Sequence, residues 1–403
     1  MQQRLVIVGA GFAGMYAALS AARLRDLQGV APSRLAITLI APEPTLVVRP
    51  RLYEPYPERL TAPLQPVLDA IGVSYVQGSV ETVDAGAASI GYRTSGGATR
   101  KLGYDRLVIA TGSRLFRPEI PGLAEFGFSV DSLQDAMALD RHLRGLAERP
   151  ASPARNTVVV AGGGFTGIEV ATEMPARLRD MLGRDADIRV VIVERGSAIG
   201  KDIGDAAQPH IRQALGELKI QAELGVGVTT VDAGGVVLSD GRRIDSATVI
   251  WAAGMRAAPL TAAILAERDG FGRLIVDRDL RVPGVAGIFA TGDAARVACD
   301  DVGHDALMSC QHATRMGAFA GNNAAADLLG VAPQPYHQAA YVTCLDLGQA
   351  GAILTRGWER RVELLGPEAK AMKHEINTVW IYPPPADAKA ALAAADPQRV
   401  TDL

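Results

Sequence analysis

Val6-Ile7-Val8-Gly9-Ala10-Gly11-Phe12-Ala13-Gly14 returns later in the chain as Val159-Val160-Ala161-Gly162-Gly163-Gly164-Phe165-Thr166-Gly167. Gly9, Gly11 and Gly14 recur as Gly162, Gly164 and Gly167, each 153 residues on. Each copy is a short apolar run, then GxGxxG, then a segment with a helical pattern. In that context the first glycine permits the tight turn, the second lets backbone approach a pyrophosphate, and the third lets helix pack close to strand. Phosphates then sit on free N–H groups at the positive end of a helix dipole. A lone GxGxxG is a weak signal, but two in the same setting are a strong one. Two such sites suggest one dinucleotide held as a prosthetic group and a second visiting as substrate, an arrangement suited to electron transfer between them.

The rest of the chain is read outward from this repeat. The fold class expected is α/β, with two Rossmann-like dinucleotide-binding domains and a small C-terminal α+β portion. At 403 residues the chain has room for two or three domains. Its 48% apolar and 21% charged residues are ordinary for a globular protein. A net charge of −3 with no basic block argues against a nucleic-acid partner. The first strand begins near Arg4, which leaves no space for a signal peptide, and no apolar run reaches the ~18–20 residues of a membrane span. The expected location is therefore cytoplasmic. Cys299, Cys310 and Cys344 show neither CxxC nor CxxxxC spacing and fit a reducing compartment, and the six histidines do not cluster, so no metal site is expected.

Strands are expected at 4–8, 35–40, 73–77, 88–92, 107–110, 157–161, 188–193, 247–252, 287–290, 340–345 and 350–354. Helices are expected at about 13–27, 205–219 and 305–329. The Pro-rich tail from Pro383 is left without assigned structure. Three buried strands end in glycine turns: Ala110-Thr111-Gly112, Ala252-Ala253-Gly254 and Ala290-Thr291-Gly292-Asp293. Ligands of open α/β sheets lie beyond the carboxyl ends of strands, so these turns are candidate cofactor contacts.

Taken in order, these motifs resemble the two-dinucleotide-domain flavoproteins, and within them the type II NADH dehydrogenases. The resemblance rests on both glycine loops, on Gly167-Ile168-Glu169, on Trp251-Ala252-Ala253-Gly254-Met255-Arg256-Ala257-Ala258-Pro259-Leu260, and on Ala290-Thr291-Gly292-Asp293-Ala294. It extends weakly to Asp346-Leu347-Gly348. It implies FAD in the first site and NADH in the second. It also implies a division into an FAD domain (1–115 and 270–330), an inserted NAD(H) domain (116–269) and a C-terminal flavin-site region (331–403).

Candidate cofactor contacts are Gly9, Gly11, Phe12, Ala13, Gly14, Glu43, Arg49, Thr111, Gly112, Gly292 and Asp293 for FAD. For NADH they are Gly162, Gly164, Phe165, Thr166, Gly167, Glu194, Ala253 and Gly254. Glu194 closes a strand 32 residues past Gly162, where an acid accepts hydrogen bonds from ribose hydroxyls and repels a 2′-phosphate. The matching position in the first copy is Ala41, so the usual acid for the FAD ribose is missing there; Glu43 stands two residues on. Asp293 reads as a flavin contact, as a helix N-cap, or as both.

Glu169 is either a favourably placed acid near a helix N-terminus or, by resemblance, the group where nicotinamide meets flavin. The resemblance also implies a pair of glutamines bordering a quinone pocket. Gln311 matches the first, and Arg315 replaces the second. With Glu169, these two are the candidate catalytic residues. The stretch Ala369–Trp380 carries an apolar stripe of Met372, Ile376, Val379 and Trp380, short and charged compared with the family's membrane helices, which predicts at most peripheral membrane contact. A homodimer is compatible with it.

The function these residues point to is an FAD enzyme that oxidises NADH and passes electrons to a quinone or another small acceptor. Two alternatives stand beside it: a sulfide or thiol:quinone oxidoreductase using Cys310 and Cys344, and a redox sensor that binds NADH and FAD.

Overall fold

The computed structural model describes residues 2–399. It contains two five-stranded parallel sheets of the same design. In the first, Gln3–Val8 lies between Leu35–Ala41 and Arg106–Ile109, flanked outside by Ser74–Gln77 and Ile288–Ala290. In the second, Thr157–Ala161 lies between Arg189–Glu194 and Thr248–Trp251, flanked by Ile220–Leu224 and Gly127–Phe128. The offset of 153 residues survives in the register: Val8 pairs with Ile40, and Ala161 with Val193. The inner strands of both sheets are covered on both faces, which is why they read as continuous runs of Val, Ile and Leu and not as alternating patterns; the edge strands Ser74–Gln77 and Ile220–Leu224 are more exposed and more polar. Ile288–Ala290 returns to the first sheet after the second is complete.

The helices Phe12–Leu27 and Cys310–Leu329 pack backbone to backbone. A Cβ at Gly317 would stand 2.3 Å from the Ala13 carbonyl oxygen, and one at Gly321 would stand 2.0 Å from that of Ala17. Only glycine allows this approach. The second helix begins at Cys310, not near 305 as expected. The Asp300 carboxylate accepts the N–H groups of Val302, Gly303 and His304, and the turn it makes brings Asp305 into an antiparallel bridge with Ala298 and the Ala306 N–H onto the Val297 carbonyl, pairing that takes these residues out of the helix. Ser309 then supplies the N-cap, accepting from the His312 N–H.

The C-terminal region is an antiparallel sheet of Val342–Asp346, Ala352–Arg356 and Arg361–Leu365, followed by the helix Gly366–Glu375 and a wider turn at Ile376–Trp380. Its fully buried stripe is Ala369, Lys373 and Asn377; of the apolar set expected, Met372 and Ile376 pack partly buried against the C-terminal core, while Val379 is 63% exposed. The cause is an acid waiting for Lys373 in the second domain, described below. The tail forms a further helix, Ala388–Ala394, capped by Asp387. Ala391 and Ala395 are buried in the core of the first sheet's domain, and Arg23 pairs with Asp396. Among the described residues no helix is long and apolar enough to cross a membrane.

Two glycine substitutions separate helix propensity from packing. Gly216, exposed in the helix Gln208–Glu217, has open space where a Cβ would go. Gly216→Ala should stabilise the chain by about 0.5–1 kcal/mol. Gly321→Ala should destabilise it by about 1–3 kcal/mol or more, because the obstacle is backbone. Urea denaturation of both variants checks this.

Candidate active site at the ends of the two parallel sheets

Each glycine loop opens on a backbone that side chains rarely adopt, with φ of 115° at Gly9 and 119° at Gly162. A Cβ at Gly14 would fall 1.8 Å from the Gly9 carbonyl, and one at Gly167 would fall 1.9 Å from that of Gly162. At Gly11 and Gly164 a Cβ would meet nothing within 4 Å. Open space therefore stands before the two helices that begin Phe12-Ala13 and Phe165-Thr166. Neither helix has a side-chain cap, a feature shared with Gln208–Glu217 and Gly366–Glu375; what sets these two apart is the glycine loop and the open space before them. The first-turn N–H groups of these two helices are left for an anion, which fits the pyrophosphate of a dinucleotide at each loop.

Around the first loop the strand ends converge. The hydroxyls of Thr111 and Thr291 are buried without a partner among the described residues. Gly292 is wedged between two helix starts: its Cβ would lie 2.8 Å from that of Ala13 and 3.5 Å from that of Ala313. Ser113 Oγ donates to Asp293 Oδ2 at 2.6 Å. Arg49 Nη1 donates to Ser113 Oγ at 2.9 Å, and Arg49 also pairs with Asp131. Burial pushes the Asp293 carboxyl up, against the pull of Ser113 and Arg49. The structure thus brings Arg49, Thr111, Gly112 and Asp293 together. It adds Ser113 and Asp131, for which the only sequence signal is Ser113's place beside Thr111-Gly112. Asp293 caps no long helix; it lies in a single 3₁₀ turn, Gly292–Ala294.

At the second loop, Glu194 Oε2 accepts the Gly163 N–H at 2.7 Å and Oε1 accepts the Gly196 N–H at 2.6 Å. These bonds hold the carboxylate at the strand end beside the glycine loop. Trp251 Nε1 donates to the carbonyls of Phe116 and Ala253, pinning the Ala253-Gly254 turn. In the first copy Glu43 is exposed and accepts from Gln77 Nε2 at 3.4 Å.

Glu169 is 4% exposed, and Lys373, from the C-terminal helix, donates to its Oε1 at 2.7 Å. The Asp346 N–H reaches the same oxygen at 3.2 Å, and Lys373 also donates to the Cys344 carbonyl. Asp346 in turn accepts from the Tyr53 hydroxyl and from Lys370. Burial pushes the Glu169 carboxyl up to about 7 against the pull of Lys373. This network ties the second domain to the C-terminal region. Lys373 escaped the sequence because a lysine in a Lys-Ala-Met-Lys-His run reads as solvated.

The two other candidate catalytic residues are less alike than their spacing suggested. Gln311 Oε1 accepts the Val342 N–H at 3.3 Å, beside the C-terminal sheet. Arg315 departs from the expectation that it faces an acceptor pocket: its guanidinium donates to the carbonyls of His337 and Arg399 and lies over the Phe319 ring. Two backbone carbonyls and a ring face thus hold the guanidinium. Burial pushes the thiols of Cys299, Cys310 and Cys344 up, to about 12 for Cys344. That is the reverse of an activated thiolate.

Two parallel sheets, each ending in a glycine loop with open space before a helix N-terminus, define a protein built to hold two dinucleotides at once, and a buried carboxylate–ammonium pair ties the second of them to the C-terminal region. The chain belongs to the pyridine nucleotide-disulphide oxidoreductase family, which matches residues 3–317. It is 44% identical over 98% of both chains to an NADH dehydrogenase-like protein of Mycobacterium tuberculosis. It is 29% identical to the demethylphylloquinone reductase of Synechocystis, over 94% of this chain and 91% of the other. The fold resembles that of NDH2 from Plasmodium falciparum, solved with NADH, with a TM-score of 0.79 and 15% identity, covering 98% and 97% of the two chains.

The buried acid has a signature in pH. The folded value for Glu169 lies above its ordinary 4.5, so its contribution to stability is whole below that pH and is lost as pH rises through about 7. Glu169→Gln should therefore flatten the fall in stability between about pH 5 and 7. Urea denaturation across that window reads the difference, and a slope unchanged by the substitution would place the proton elsewhere.

Proposed function

We propose that the chain is an FAD-dependent NADH dehydrogenase that delivers electrons to a quinone-type acceptor. The observation that carries this reading is the pair of glycine loops with uncapped helix N-termini, of which only the second has a ribose acid. FAD, when bound, accepts hydride from NADH and releases electrons to the acceptor. The first-turn N–H groups after Gly11 hold its pyrophosphate, and Asp293, set by Ser113 and Arg49, stands at the strand end beside it. Glu194 accepts from the hydroxyls of the NADH ribose and repels a 2′-phosphate. Glu169 holds or releases a proton at its carboxyl while Lys373 fixes its orientation.

In this reading residues 1–115 with 270–330 form the FAD portion, 116–269 the NADH portion, and 331–403 the part that closes the site through Lys373. A homodimer and a peripheral membrane contact belong to the same proposal, supported by the exposed side of the C-terminal helix around Val379. The name and full-length coverage of the mycobacterial relative support NADH as the donor, and that of the Synechocystis reductase supports a quinone as the acceptor. The thiol-based alternative has no lowered thiol to work with.

Anaerobic mixing with NADH should bleach the flavin, and a short-chain quinone should restore its colour. Slow bleaching with no recovery by quinone would favour a sensor. Gly11→Val should give a chain without FAD, since the side chain fills the space for the pyrophosphate. Glu194→Ser should raise NADPH use relative to NADH, each tenfold change in the ratio of efficiencies being about 1.4 kcal/mol. A native enzyme that already prefers NADPH would overturn this role for Glu194.

A further inference from the structure

The repeat supplies an internal control for the first site. The two loops match bond for bond: the Gly9 N–H donates to the Ile40 carbonyl and the Gly162 N–H to that of Val193, both at 2.9 Å. Residue 41 is therefore the structural counterpart of residue 194, and residue 10 of residue 163. In the second loop the Glu194 carboxylate accepts the Gly163 N–H. In the first loop Ala41 offers no acceptor, and the Ala10 N–H makes no hydrogen bond with the described chain.

Both positions differ between the two loops. A Cβ at Gly163 would stand 2.7 Å from Ile199 Cδ1 and 3.2 Å from Cβ and Cγ of Glu194, so the second loop has no room for a side chain there. Ala10 carries that Cβ, and the small side chain of Ala41 leaves room for it. Glu43 does not take the acid's place. It leans toward Gln77, on the strand at the far side of Leu35–Ala41 from the glycine loop. The end of the Leu35–Ala41 strand is also fixed: the Ala41 carbonyl accepts from the Tyr75 hydroxyl at 2.6 Å and from the Gly78 N–H at 2.9 Å.

We propose that the first loop binds the adenosine ribose of its dinucleotide without a carboxylate, through the free N–H of Ala10, and that it accepts a phosphorylated ribose as readily as a plain one. The inference rests on the reading that this loop holds FAD. A carboxylate accepts from ribose hydroxyls and repels a phosphate, whereas an unpaired N–H donates to either. The two loops of one chain thus use opposite chemistry at the same position: the second selects by charge and the first does not.

The test is displacement of FAD from the full-length holoenzyme at equilibrium, read by recovery of flavin fluorescence, with ADP-ribose and 2′-phospho-ADP-ribose as competitors. Fluorescence reports the first loop alone, whatever binds the second. The two competitors should act within about threefold of one another. Ala10→Gly/Ala41→Glu should hold FAD about tenfold more tightly and disfavour the phosphorylated competitor by about tenfold or more. A native preference of about tenfold for the unphosphorylated competitor overturns the proposal. So does Glu43→Gln releasing FAD about tenfold more readily, since Glu43 would then be the ribose acid. These two measurements decide the matter even where the double variant fails to fold. A chain isolated without FAD overturns the reading beneath it, and the inference with it.

Discussion

The structure depends on a contact between two stretches of bare backbone. Gly317 and Gly321 on one helix meet the carbonyls of Ala13 and Ala17 on another. This crossing sets the first glycine loop against the start of the Cys310–Leu329 helix and wedges the Gly292 turn between them. Any side chain at the crossing would push the helices apart and open the place where Thr111, Thr291, Ser113 and Asp293 converge. The site's precision is therefore a packing property before it is an electrostatic one.

Electrostatics enter where the second domain meets the C-terminal region. A buried carboxylate alone would hold a proton, and a buried ammonium alone would lose one. Glu169 and Lys373 each oppose the other's tendency, and the backbone of Asp346 and Cys344 takes up their remaining bonds. A pair of this kind contributes little net stability against an apolar substitute, yet it fixes which helix face turns inward. The buried stripe of the C-terminal helix follows this pair, with Met372 and Ile376 packing at its margin.

The sequence made the two sheets legible because parallel strands buried on both faces must be apolar throughout, and because glycine is the only residue that fits the loops after Val8 and Ala161. Glu194 was legible through its distance from Gly162. Lys373 was not, since its reason for burial lies 204 residues away. The start of the Cys310 helix is not legible because Asp305 and Ala306 pair with Ala298 and Val297, a contact that apolar periodicity does not register. Arg315 shows a related limit: spacing puts it one turn past Gln311 but does not show its partners, the carbonyls of His337 and Arg399.

The return of Ile288–Ala290 to the first sheet bears on how the chain is made. The second sheet is complete within residues 127–251, so it can fold as it leaves the ribosome. The first lacks an edge strand, its glycine-bearing partner helix and the docked tail until residues 288–395 have followed. Its glycine loop therefore depends on segments encoded beyond the second sheet before its helix can pack. Of the two sheets, the one encoded earlier is the later to be completed.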